Sequence, residues 1–214
     1  VFTKDWRCEL RSRYALNAIA LFAVTTLVVT SAALGPAGTN KTLAINVLPA
    51  MLWLILLFAA AAGLPRAFVH EEESHTAIAL RLAAPPSALF VGKLAFGVSL
   101  LLGIEALVAP LYLAVMSLEV ASPGQLVIAL VAGGYGLAVG SVLIAALASQ
   151  ARGRSTLFSV LAFPVLMPLL LIAIELTRNA VAGDPAGVAL PQLLLYDGSV
   201  TIAGLMLFPA VWNP

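Results

Sequence analysis

Six apolar runs dominate this 214-residue sequence and leave it few ways to fold. They extend from Ala15 to Leu34, Leu43 to Leu64, Leu89 to Leu118, Gln125 to Ala148, Thr156 to Leu176 and about Ser199 to Trp212. A helix needs about 20 apolar residues to cross about 30 Å of hydrocarbon, where only a helix or a closed barrel satisfies its own backbone. The expected fold is an all-α polytopic membrane protein with six transmembrane helices, forming a single domain over 1–214. Gly35-Pro36 closes the first run and Pro65 the second. The third is long enough to tilt or to project past the bilayer. The sixth is short, and begins nearer Leu193 if Asp197 is tolerated at the interface. The first run is too long for a signal-peptide core and lacks a clear cleavage site, so it is expected to be retained as a span.

Composition excludes the other classes. Hydrophobic residues make up 62% of the chain and charged residues 10%, whereas soluble domains carry about a quarter charged residues. A net charge of +1 supplies no basic stripe for nucleic acid. The single cysteine, Cys8, forms no internal disulfide and no thiolate cage.

Lysines and arginines set the orientation. Lys4, Arg7, Arg11 and Arg13 precede the first run; Arg66, Arg81 and Lys93 are assigned to the second connector; Arg152 and Arg154 lie in the fourth. Only Lys41 and Arg178 fall on the other side. This nine-to-two split predicts both termini in the cytosol and an even number of spans. Residues 1–14 are too polar to cross. On a helical wheel Phe2, Trp6 and Leu10 share one stripe, and Lys4, Arg7 and Arg11 another. That pattern favours a helix lying in the interface over an ordinary positively charged flank.

The one long cytosolic connector reads LPRAFVHEEESHTAIALRLAAPPSALFVGK over 64–93. Glu71, Glu72 and Glu73 suit the first turn of a helix over 71–84, where negative charge complements the helix dipole, and Pro85-Pro86 ends it. Ser87 is expected to cap the next helix. Such a helix either docks into a groove on a soluble partner or lies on the membrane with a solvated acidic end.

Two motifs fail on inspection. GPAGTNKT (35–42) approaches a phosphate-binding loop, but Asn40 replaces the final glycine, no strand precedes it and it faces outward. HEEESH (70–75) has its histidines five apart, about 140° around a helix, where two ligands on one face need a spacing of four. No metal site and no catalytic set are expected.

Within the spans, Glu105 lies mid-helix, where a carboxylate is costly unless protonated, paired or facing water. It is either functional or a neutral acid bonded at a helix interface. Pro110 should kink the same helix. Glu175 is nearer an interface. The fourth run carries Gly133, Gly134, Gly136 and Gly140 with Ser141. Gly136 and Gly140 form a G-x-x-x-G pair suited to close packing within the chain or to dimerisation. Pro164 and Pro168 suggest a bent fifth helix.

Several segments together carry a resemblance. They are KDWRCELRSRYALNAIALF, the ALGP stop, LWLILLFAAAAGLPRAFVHEEE, LAAPPSALFVGKL, the helix with Glu105 and Pro110, ARGR, and FPVLMPLLL. The chain resembles the haem exporter protein B (CcmB) family over essentially its whole length. It departs in the late connector, where SHTAIALRL (74–82) replaces the family's tendency to a glycine and an acidic residue. The resemblance implies an ABC-2-type permease in a bacterial inner membrane. It implies a separate CcmA-type ATPase, a second permease copy, and the haem-handling proteins CcmC, CcmD and CcmE. ATP would bind only in the partner subunit, and haem would be handled or released with its chaperone. The 71–84 helix would be the coupling helix, with Arg66, Glu71, Glu72, Glu73, Thr76, Leu80 and Arg81 meeting the ATPase. His70 and His75 are the only histidines and neither lies in a span, which favours a mechanical role over histidine ligation of haem. Two other functions compete: a permease of the same build for a lipid or drug, and an ion-coupled transporter using Glu105 as proton carrier.

Overall fold

The structure is a computed structural model that describes residues 2–12, 14–35, 41–63, 85–149 and 154–212. The helices are α1 (Phe2–Ser12), α2 (Tyr14–Leu34), α3 (Lys41–Asn46), α4 (Leu48–Gly63), α5 (Pro86–Met116), α6 (Pro123–Ser149), α7 (Arg154–Ala182) and α8 (Ala189–Trp212). No strand occurs among the described residues. Five segments there are long and apolar enough to cross a membrane: Lys41–Ala61, Pro86–Met116, Pro123–Ala148, Leu161–Ala182 and Ala189–Ala210. Ala20–Leu34 is apolar but shorter. The protein is a polytopic, all-helical membrane protein.

Helix α6 forms the centre. Of its apolar window 72% is buried, against 22% for that of α8. An apolar surface on every side suits a helix packed on every side, and α5, α7 and α8 all pack against it. The outer helices turn large apolar side chains outward, including Leu21, Val29, Phe58, Leu107, Phe163, Leu195 and Met206. So much exposed hydrocarbon would be a liability in water and is the expected surface in lipid.

Buried polar tips tie the helices together. Trp53 on α4 donates from Nε1 to Thr177 Oγ1 on α7 at 2.8 Å, and Thr177 in turn donates to the Ala173 carbonyl at 2.8 Å. The Tyr112 hydroxyl on α5 donates to the Leu48 carbonyl at 3.0 Å. Tyr135 and Thr201 join α6 to α8 at 3.0 Å, and the Tyr196 hydroxyl donates to the Val165 carbonyl on α7.

Several boundaries differ from the sequence expectation. The second span is divided at Val47, because Pro49 brings no N–H to the helix ladder. Hydrogen bonds from Val47 to Leu43 and from Met51 to Val47, both 3.0 Å, still carry the chain across. Helix α5 starts at Pro86 with Pro85 at its cap and no side-chain cap bond, so Ser87 sits inside the first turn. Proline at the first helical position has a preset φ and no N–H to satisfy, which removes the need for a serine cap. Helix α5 continues through Pro110 and ends where Ser117 adopts a left-handed φ of 50°. Helix α7 runs beyond Leu176 to Ala182, past the exposed Glu175–Arg178 pair at 3.6 Å. It stops at Gly183, whose φ of +84° suits glycine alone among ordinary residues. Hydropathy marks the apolar part of a helix rather than its end. Helix α8 starts at Ala189, ten residues before Ser199.

Candidate functional site

Three contacts join α1 to the beginning of α5. Lys93 Nζ lies 3.4 Å from Asp5 Oδ2, with side-chain exposures of 1% and 8%. One residue on from Asp5, Trp6 donates from Nε1 to Ser99 Oγ at 2.8 Å. The Trp6 ring meets Phe96 edge-on, with centroids 5.8 Å apart and planes at 74°. Residues 93, 96 and 99 recur at helical spacing, so one stripe of α5 receives α1. Lysine is almost never fully buried unless paired, which explains why Asp5 is drawn to this stripe. Lys93 is thus no flanking charge of the connector, and the charge bias drops from nine to eight against two. Trp6 faces α5 rather than lipid, whereas Phe2 remains exposed.

A second arrangement lies on α6. A Cβ placed on Gly133 would overlap the Trp53 ring of α4. One on Gly134 would overlap the Glu105 carboxyl of α5, and one on Gly136 the Asp197 carboxyl of α8. Within four residues of α6, three glycines therefore each receive a side chain from a different helix, at positions where only hydrogen leaves room. Gly136 and Gly140 also accept Leu169 and Leu166 of α7. Gly134 and Gly136 are about 3 Å apart along the axis and about 160° apart around it. Glu105 and Asp197 consequently meet α6 at nearly one level from nearly opposite sides.

Glu105 is 3% exposed and Asp197 4%. Neither Glu105 carboxyl oxygen has a hydrogen-bond partner among the described residues, and Asp197 Oδ1 has none. Buried polar groups without partners are uncommon and call for a reason. Asp197, which the sequence left either before the sixth span or near its interface, is buried on α8 eight residues past Ala189. Its available signal was the run Tyr196-Asp197 with Thr201 one turn on, all polar tips on a helix whose apolar stretch resumes immediately.

Pro110 lies on the same helix as Glu105 but is exposed, so the two do not form one site. Arg66, Glu71, Glu72, Glu73, Thr76, Leu80 and Arg81 lie outside the described residues, as does the whole proposed coupling helix. His70 and His75 lie there too. Among the described residues no group of three or more His, Cys, Asp or Glu side chains could hold a metal ion.

Comparison with known proteins places this helical chain in a family. A family model described as CcmB protein matches residues 1–211. The chain belongs to the CcmB family. A similar protein is heme exporter protein B of Bradyrhizobium diazoefficiens, 26% identical over 181 residues that cover 84% of this chain and 80% of the relative. The family match takes in both the α1–α5 junction and the glycine stretch of α6. Family membership also links the chain to cytochrome c biogenesis and transmembrane transport.

Proposed function

We propose that this chain is the permease subunit of an ABC transporter serving cytochrome c maturation in a bacterial inner membrane. The observation that carries the reading is the CcmB match across residues 1–211 of a polytopic helical chain. In this reading α2, the α3–α4 segment, α5, α6, α7 and α8 make six spans of one permease domain, with both termini in the cytosol. A CcmA-type ATPase supplies the work, two permease copies face two ATPases, and CcmC, CcmD and CcmE handle haem around them.

Residues 71–84 act as the coupling helix, with Glu71–Glu73 and Arg81 offering charge to the ATPase and Leu80 an apolar contact. The segment joins α4 to α5. A push on it reaches α5 at Pro86, seven residues before Lys93, where α1 is held by a buried ion pair and a tryptophan. On the other side it reaches α4, which Trp53 ties to α7. Movement of α5 against α6 would then shift Glu105 across the glycine stretch, giving its unpartnered oxygens access to new partners. The output is haem delivery or release of the haem-loaded chaperone on the outer face. This chain contributes mechanical transmission and no hydrolysis.

Deletion of the chain from its host and re-expression tests the reading. Loss of c-type cytochromes, restored by this chain together with co-purification of an ATP-hydrolysing subunit, is expected. Normal cytochrome c production in the deletion strain contradicts it.

The lack of partners at Glu105 favours one second reading, ion-coupled transport with Glu105 as the proton carrier. Transport that persists without any ATPase and stops in Glu105→Gln would establish that reading over the first. A permease of the same build for another substrate would be revealed by intact cytochrome c maturation with loss of a lipid or drug efflux.

A further inference from the structure

Two carboxyls sit on α6 with nothing to balance a charge. Helices α2, α4 and α6 contain no acidic or basic residue; α5 contains only Lys93 and Glu105, and α8 only Asp197. Lys93 is twelve residues from Glu105, about 18 Å along α5, and is paired with Asp5 of α1. On α7, Glu175 and Arg178 are exposed and paired with each other. They lie about 9 and 14 Å along the axis from Leu169, the α7 residue that meets Gly136 beside Asp197. Arg154 opens α7 at about 22 Å from Leu169, and Lys41 is exposed on α3. The nearby tyrosine hydroxyls are committed elsewhere: Tyr112 to the Leu48 carbonyl, Tyr196 to the Val165 carbonyl and Tyr135 to Thr201.

Both carboxyls are more than nine-tenths buried, and neither Glu105 oxygen nor Asp197 Oδ1 has a hydrogen-bond partner among the described residues. An ionised carboxyl in such a place needs a cation or water. The glycine contacts leave space for neither at the backbone, since a Cβ on Gly134 would overlap both Glu105 oxygens and one on Gly136 would overlap Asp197 Oδ1. A neutral acid lies flush against a glycine at far lower cost.

We propose that Glu105 and Asp197 are two proton-binding sites, and that the bound protons lock α5 and α8 against opposite sides of α6. Loss of either proton leaves a charge that must draw in water, so the helix bearing it separates from α6. Conversely, separation wets the carboxyl, and a wet carboxyl ionises well below neutral pH. The packed state therefore binds more protons than the opened one. Acid favours packing and a rise in pH favours opening, roughly tenfold per pH unit for each proton released. The lock needs no passage of protons across the membrane, and it rests neither on an ATPase nor on haem.

The test uses the full chain with its co-purifying subunits in dodecyl maltoside, a detergent without a carbonyl group. Infrared spectroscopy at neutral pH should show carboxylic-acid C=O absorption at the high-frequency end typical of groups without hydrogen bonds. Glu105→Gln and Asp197→Asn should each remove a distinct component. Carboxylate absorption alone, as a bound cation would give, overturns the proposal, as does an acid band that survives both substitutions. Hydrogen exchange over 133–140, corrected for the intrinsic effect of pH on amide chemistry, tests the lock in the unaltered protein. Protection should fall roughly tenfold or more per pH unit through the neutral range, and this slope should vanish in Glu105→Gln/Asp197→Asn. Protection independent of pH in the wild type, or an unchanged slope in the double variant, overturns the lock.

Discussion

Removing Lys93 tests how α1 is held. In Lys93→Met the methylenes are largely kept while the charge is lost, leaving Asp5 at 8% exposure facing an apolar replacement. Breaking a buried ion pair from one side costs about 3–5 kcal/mol, because the surviving charge stays desolvated. The lower end applies here, since α1 can lift and rehydrate Asp5. That escape forfeits the Trp6–Ser99 hydrogen bond, worth about 1 kcal/mol, and the Trp6–Phe96 ring contact, worth about 0.5–1.5 kcal/mol. A net shift of about 3 kcal/mol moves the docked-to-undocked ratio of α1 roughly 150-fold. An isolated helix of 11 residues is marginal in water, so undocking exposes its amides. Hydrogen exchange in lipid nanodiscs should therefore accelerate across 2–12 by about two orders of magnitude in Lys93→Met. In the double variant Asp5→Asn/Lys93→Met no buried charge is stranded, and most of the protection should return. Exchange within twofold of wild type in Lys93→Met, or a double variant as fast as the single, refutes the reasoning.

The remaining predictions concern the interior. Gly134→Ala drives a methyl group into the Glu105 carboxyl and should destabilise the protein by about 1–3 kcal/mol; adding Glu105→Ala should recover much of the loss in a thermal melt. Trp53→Phe removes the bond to Thr177, which keeps its own bond to Ala173, and leaves a void where the buried indole packs on Gly133, so a loss of about 1–3 kcal/mol is expected, read as a fall in melting temperature. Asp197→Asn preserves the shape against Gly136 and should leave the protein folded, whereas Asp197→Leu should lower its thermal stability and its yield from membranes, since a branched chain meets a contact sized for a carboxyl.

The sequence makes the membrane class and most of the helices legible because hydrocarbon thickness imposes a minimum apolar length. It makes the ends less so. Arg178 and Asn179 look like loop residues by hydropathy, yet α7 carries them to Gly183, since a helix leaving the bilayer has no reason to stop at its last apolar residue. Asp197 is a related case: its polarity left the start of the sixth span open between Leu193 and Ser199, whereas α8 begins at Ala189 and buries it. Glu105 stands out as an intramembrane carboxyl by position alone, and the glycines of 133–136 by composition, but their juxtaposition depends on which α6 face meets which neighbour. That information is absent from periodicity when a helix is apolar all round. The Asp5–Lys93 pair joins residues 88 positions apart, and local spacing carries no trace of it. Lys93 was counted with the connector because charge bias treats every lysine near a span end as solvated.

In the proposed mechanism an external ATPase drives this chain through residues 71–84. A photo-reactive amino acid at Thr76 or Leu80, in native membranes that also contain the other subunits, reads that contact directly. The expected result is a cross-link to the ATP-hydrolysing subunit, with a yield that changes between nucleotide-free and ATP-bound states and falls when Glu71–Glu73 are reversed to lysine. Cross-links to lipid alone at both positions, in membranes where the ATPase is present and active, would contradict it.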